Sequence, residues 1–280
     1  MKTDFFIPAS QTSAMFLMVQ AVATGYRFHQ TGTIPLAKAA LLCEKFDRKF
    51  EWSADRVRRQ FLRRKDLASA FLFMYPASPD KMYWWLVATA GAIDDGHQFA
   101  DCWHPKQPIL WDSRYRIEHF QRPSERGGGR RWTWQITPQR MTELRENVIY
   151  LCSHGRRKEL VGFFVALQRM PGFHGIRHQV HQLYVVGRDT WPCRNRSDWP
   201  VQPLEMRYVS FTQKLYADPP LRLNELVTVV KSSEFVREVD PLDVTNSATT
   251  QPQELNGCNE SRVTIPRIDV QASGPAKLLR

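Results

Sequence analysis

An α+β fold is what this sequence predicts, and three observations predict it. Apolar residues recur at helical spacing in the first third of the chain and again after residue 137, with aromatic-rich extended runs between. Clusters of Pro, Gly, Ser and Asp at 76–80 and 123–129 separate those extended runs into pairs, as hairpin connections do. From about residue 240 the chain is Asn, Thr, Ser, Gln and Pro with few aromatics, the composition of a disordered tail. The expected architecture is a helical N-terminal part with a helix-turn-helix-like pair, a small antiparallel sheet of hairpins, a helical C-terminal part and a disordered tail. Three parts are expected: residues 1–113 with the helix pair and a hairpin, 114–235 with a strand pair and helices, and 236–280 as the tail.

The elements follow in order. Asp4-Phe-Phe-Ile-Pro8 reads as a short strand, and residues 10–23 as a helix capped by Ser10 or Thr12, whose hydroxyls suit the free N–H groups of a first turn. Residues 26–30 look extended. Thr31-Gly-Thr-Ile-Pro35 is turn chemistry leading into a helix, because Pro is tolerated in a first turn. Ala39, Leu42, Cys43, Phe46 and Phe50 make one apolar stripe, which predicts a helix over 36–50. After Glu51-Trp52-Ser53, a second helix over 54–66 is expected with Ser53 as its cap. Residues 69–75 and 82–90 read as a hairpin, and 115–120 with 131–137 as a second strand pair. Thr137-Pro138 has the cap-and-first-turn pattern, and helices are expected over 138–152, 156–170 and 173–187, with a further helix near 221–231.

Charge is the feature that points to a partner. The chain carries 39 basic and 28 acidic residues, a net +11. Residues 231–280 hold six basic and seven acidic ones, so residues 1–230 carry 33 against 21, a net of +12. A basic body concentrates polyanions around itself, and nucleic acid is the commonest polyanion. The longest apolar run, 14–23, contains Gln20 and falls well short of the ~18–20 residues that span a membrane, so no membrane partner is expected. Lys2 and Asp4 precede no small-residue cleavage pattern, which speaks against a signal peptide. Five cysteines without a CxxC fit a reducing, cytoplasmic setting rather than a disulfide framework or zinc ribbon.

The densest basic segment is the second helix. Arg56, Arg58, Arg59, Arg63, Arg64 and Lys65 place six cations within ten residues. At 100° per residue, Ala54, Val57 and Phe61 gather on one side, expected to pack on the preceding helix. Arg56, Arg59, Gln60 and Arg63 gather on the other, where Arg can pair with guanine and Gln with adenine in a major groove. A second basic segment, Arg122, Arg126, Arg130 and Arg131 around Gly127-Gly-Gly129, leads into Trp132-Thr-Trp134, whose rings share one strand face and suit base stacking. No GxxxxGK[ST] occurs.

Other constellations point less far. His174, His178 and His181 share a helical face without the Glu of HExxH, and His97, Cys102 and His104 lack the spacing of a structural zinc site. Asp94, Asp95, Asp101 and Asp112 are the one acidic concentration. His29 beside Arg27 and His119 beside Arg116 are the pairs a metal-independent RNase would use. No catalytic residue, metal or cofactor is expected from these patterns.

Thr31-Gly-Thr-Ile-Pro35 with Lys38-Ala39 and Glu44-Lys45-Phe46, Arg131-Trp-Thr-Trp-Gln-Ile-Thr137, and Met170-Pro-Gly-Phe-His-Gly-Ile-Arg-His-Gln-Val180 resemble a pattern in basic proteins of plasmids and integrative conjugative elements. The resemblance covers roughly residues 25–185. It implies a role in mobile-element maintenance or regulation and transfers no site residue. The sequence as a whole leads to a non-catalytic nucleic-acid-binding protein, duplex DNA first. The alternatives are RNA binding or processing on an RRM-like sheet, and an adaptor for an acidic protein partner, through the body or the tail.

Overall fold

The computed structural model describes residues 5–92, 98–121, 124–126, 128–192, 198–209 and 214–226. The expected tail and the C-terminal half of the helix expected at 221–231 lie outside them; residues 223–226 form one helical turn. Six longer helices and seven strands are ordered α1 (Gln11–Ala23), β1 (Phe28–Pro35), α2 (Leu36–Phe50), α3 (Arg56–Arg64), β2 (Ala70–Ser78), β3 (Lys81–Ala88), β4 (Ala100–Asp101), β5 (Leu110–Trp111), β6 (Tyr115–Gln121), β7 (Arg130–Ile136), α4 (Pro138–Ser153), α5 (Arg157–Gln168) and α6 (His174–Thr190). The α+β class and both hairpins are as the sequence predicts.

The strands form two antiparallel sheets, one ordered β2-β3-β1-β4 and one β5-β6-β7. Residues 31–35, read from sequence as a turn, are strand: Thr31 to Pro35 pair with Trp85 to Lys81. Gly32 is there for packing. It lies opposite Trp84, and a Cβ on it would sit 2.8 Å from the indole ring. Pro35 ends the strand, where its missing N–H costs no ladder bond.

The larger sheet buries both faces. Leu72, Met74, Met82 and Leu86 face α2 through Ala39, Cys43 and Phe46, joined by Phe5, Ile7, Leu223 and Leu226. Trp85 and Val87 belong to a second cluster with α1, the smaller sheet and the three C-terminal helices. Residue 113, at the boundary read from sequence, lies in the turn between β5 and β6. Side chains from both sides of it share that second cluster.

Local chemistry explains the helix ends. The Ser10 hydroxyl accepts from the Ser13 N–H at 3.1 Å, capping α1 as expected. Asp55, not Ser53, caps α3, its carboxylate accepting from the Arg58 N–H at 2.7 Å. Thr137 occupies the cap position of α4, but its hydroxyl donates to the Ser113 carbonyl at 2.7 Å and ties the helix to the β5–β6 turn. At the free edge of β7, the Gln179 side-chain amide accepts from the Ile136 N–H at 2.7 Å and donates to its carbonyl at 3.0 Å.

Candidate nucleic-acid interface

The approach to α3 is built by its preceding link. Glu51 caps α2 in a left-handed conformation, φ 47°. The buried Trp52 donates its indole N–H to the Cys43 carbonyl at 2.9 Å and meets Phe5 edge-on. The Asp47 carboxylate accepts from the Ser53 N–H at 3.0 Å. The link is therefore fixed, and α3 leaves it at a defined angle.

The helix pair is present, but α3 is rolled relative to its sequence reading. Leu62 is its one buried residue. Val57 and Phe61, expected to pack on α2, are 74% and 46% exposed. The reason is Arg59, whose long stem and planar head do the covering instead. Its guanidinium lies 3.8 Å from the Phe71 ring centroid and donates to the Trp52 carbonyl at 2.8 Å. Burial pulls its pKa below the ordinary arginine value. Arg59 is thus a packed residue and leaves the set of groove-reading candidates.

The remaining cations divide by partner. Arg58 is held in a two-point ion pair with Glu51, at 2.7 and 2.8 Å, which raises the arginine pKa and lowers the carboxyl's. Arg63 is exposed and stacks 5.3 Å from the buried Tyr26 ring. Arg56, Arg64 and Lys65 are exposed and have no ion pair among the described residues. Opposite Leu62, the outward face is Arg56, Val57, Gln60 and Arg64, with Phe61 and Arg63 at its two margins. Arg63 and Arg64 in the last turn also suit the negative end of the helix dipole.

The second basic segment keeps part of its expected set. Arg122 lies outside the described residues, Arg126 falls in a short 3-10 turn, and Arg130 opens β7. Arg131 is exposed. Trp134 is fully buried, donates to the Met15 carbonyl at 2.8 Å and meets Trp111 edge-on, so it is core and cannot stack on a base. Trp85 is likewise buried and stacked on Trp111. Trp132 is half-buried, with His119 at 5.4 Å and Trp103 at 6.2 Å. Trp103 is 51% exposed, and Arg27 covers it at 5.1 Å while pairing with Asp101. Sequence reasoning passed over Trp103 and placed Arg27 only beside His29; the signal was a tryptophan in the turn-rich run Cys102-Trp-His-Pro105.

The catalytic candidates disperse. His29 is buried, its Nε2–H donating to the Gln107 carbonyl at 3.0 Å, and burial lowers its pKa. His119 sits against Trp132, and Arg116 pairs with Glu118 at 2.7 Å. Asp101 and Asp112 are paired with Arg27 and Arg114. His174 stacks on Phe120, His178 contacts Gln182 and His181 stacks on Tyr184. Among the described residues no three His, Cys, Asp or Glu side chains gather to hold a metal. Burial pushes the thiols of Cys43 and Cys102 up to about 12 and Cys152 to about 11, where no thiolate nucleophile forms. His97, Asp94 and Asp95 lie outside the described residues. No described helix is long and apolar enough to cross a membrane.

Scans against protein-family models, curated proteins and solved structures each return no match to this chain.

Proposed function

We propose that the chain is a non-catalytic, cytoplasmic nucleic-acid-binding protein that engages duplex DNA through α3, in the maintenance or regulation of a mobile element. The observation that carries this reading is one helix whose Arg56, Arg64 and Lys65 stand exposed with no carboxylate partner among the described residues. In this reading Gln60 and Arg64 address base edges, while Arg56, Arg63 and Lys65 contact phosphate. Arg131 and the half-buried Trp132, beside Trp103, form a second contact surface.

The test is fluorescence anisotropy of a labelled duplex across a salt series. Log affinity falls linearly with log salt at about −0.9 per phosphate contact, and a slope magnitude above roughly three is expected. Replacing Arg56, Arg64 and Lys65 together by Ala removes two phosphate contacts and lowers that magnitude by about 2 while leaving the fold intact. Absence of binding at low salt, or a slope unchanged by the triple substitution, defeats the reading.

A second reading, an adaptor for an acidic protein, is favoured by the exposure of Val57 and Phe61 among the same cations. Apolar groups ringed by charge suit a protein partner better than phosphate. Val57→Ser with Phe61→Ser separates the two: DNA affinity holds within about twofold if the helix reads DNA, whereas an adaptor loses its partner.

A further inference from the structure

At the root of α3 lies a cavity of about 500 Å³, within the size range of small-molecule sites. It opens between the N-terminal segment, α1, the α2–α3 link and β2. Trp52, Phe71, Phe73 and Tyr216 contribute flat apolar surface to its wall. Among the described residues its single charged lining group is Arg59, and no carboxylate lines it. Arg59 spends one donor on the Trp52 carbonyl, yet its Nε is buried with no hydrogen-bond partner. Besides Tyr26, Asp55 favours its cationic form, and that carboxylate also accepts from the Arg58 N–H.

A half-buried guanidinium on a cavity wall, with no ion pair among the described residues, favours an anionic ligand, because buried charge is costly until paired. The fork of a guanidinium matches a carboxylate with two parallel bonds. The wall around it matches a planar ring. We propose that this cavity binds a small aromatic carboxylate, its acid group on Arg59 and its ring among Trp52, Phe71 and Phe73. The proposal is independent of nucleic-acid binding, since it uses the inward side of α3 and none of the exposed cations.

The experiment is fluorine NMR of the full chain with 4-fluorobenzoate, and with 4-fluorobenzyl alcohol as the neutral analogue. The acid is expected to broaden and to bind at least about tenfold tighter than the alcohol, the discrimination a charge-assisted pair supplies. Arg59→Gln abolishes that preference. Arg56→Gln, which removes one exposed cation equally, leaves it unchanged and so excludes diffuse attraction to a basic surface. Gln20→Trp, at an exposed lining position away from the core, fills the cavity and blocks both probes without unfolding the chain. Equal binding of acid and alcohol, unaltered discrimination in Arg59→Gln, binding that survives Gln20→Trp, or no binding of either probe overturns the proposal.

Discussion

Arginine takes four different roles within nine residues of α3. Arg58 neutralises Glu51, Arg59 covers Phe71, Arg63 leans on Tyr26, and Arg64 faces solvent. Their substitutions should separate accordingly. Arg59→Ala removes a cation–π contact, a hydrogen bond and a packed stem, and should cost about 1–2 kcal/mol in urea unfolding. Arg64→Ala, in the same helix, should stay within about 0.5 kcal/mol. His29 offers a pH test at the same scale. Its folded pKa lies below the ordinary 6.5, so the folded chain resists a proton that the unfolded chain accepts. The neutral imidazole's stabilisation is complete above pH 6.5 and is lost as pH falls from there towards the lowered folded value, at no more than about 1.4 kcal/mol per pH unit. Urea midpoints at pH 7.5 and 5.5 should therefore diverge less in His29→Gln than in the parent.

Two glycines in helices set local propensity against packing. Gly162 in α5 is exposed, and a Cβ there meets nothing within 4 Å. Gly162→Ala should stabilise by about 0.5–1 kcal/mol, the ordinary helix-propensity gain. Gly175 in α6 is buried, and a Cβ would stand 2.5 Å from the Trp134 carbonyl oxygen of β7. The propensity gain is the same there, but overpacking costs about 1–3 kcal/mol, so Gly175→Ala should lower the melting temperature. Such oppositions mark where the sequence could be read and where it could not. Both hairpins, α2 and the three C-terminal helices follow from periodicity and punctuation that one segment carries by itself. The strand at 31–35 did not, because Gly32 and Pro35 look like turn residues until Trp84 is placed opposite. The roll of α3 was hidden for a related reason: a helical wheel ranks Arg as polar, and only the nearby Phe71 and Trp52 carbonyl make Arg59 the inward residue. At the candidate interface, the basic helix and the basic hairpin were legible as elements, while Trp134 changed role because its burial is set by α1 and β5, remote in the chain.

Across the whole molecule, the two ends of the described chain close on each other. The Ile7 N–H donates to the Leu221 carbonyl at 2.9 Å and the Leu223 N–H to the Phe5 carbonyl at 2.9 Å, which seats Leu223 and Leu226 under the larger sheet. A chain ended after Leu226 should keep that closure. One ended after residue 213 loses two buried leucines and the pairing of 5–9, at least about 3 kcal/mol, and thermal melts of the two should differ by several degrees.

The amide of Gln179 bears on how copies of the molecule meet one another. An unoccupied sheet edge is a template that invites a strand from a neighbouring chain, and basic proteins gathered on a shared polyanion meet at high local concentration. By filling both backbone positions of Ile136, one side chain ends β7 chemistry at that point and denies the growing end a ribbon polymer would need. At Ile136 the edge of β7 is thereby closed to an added strand.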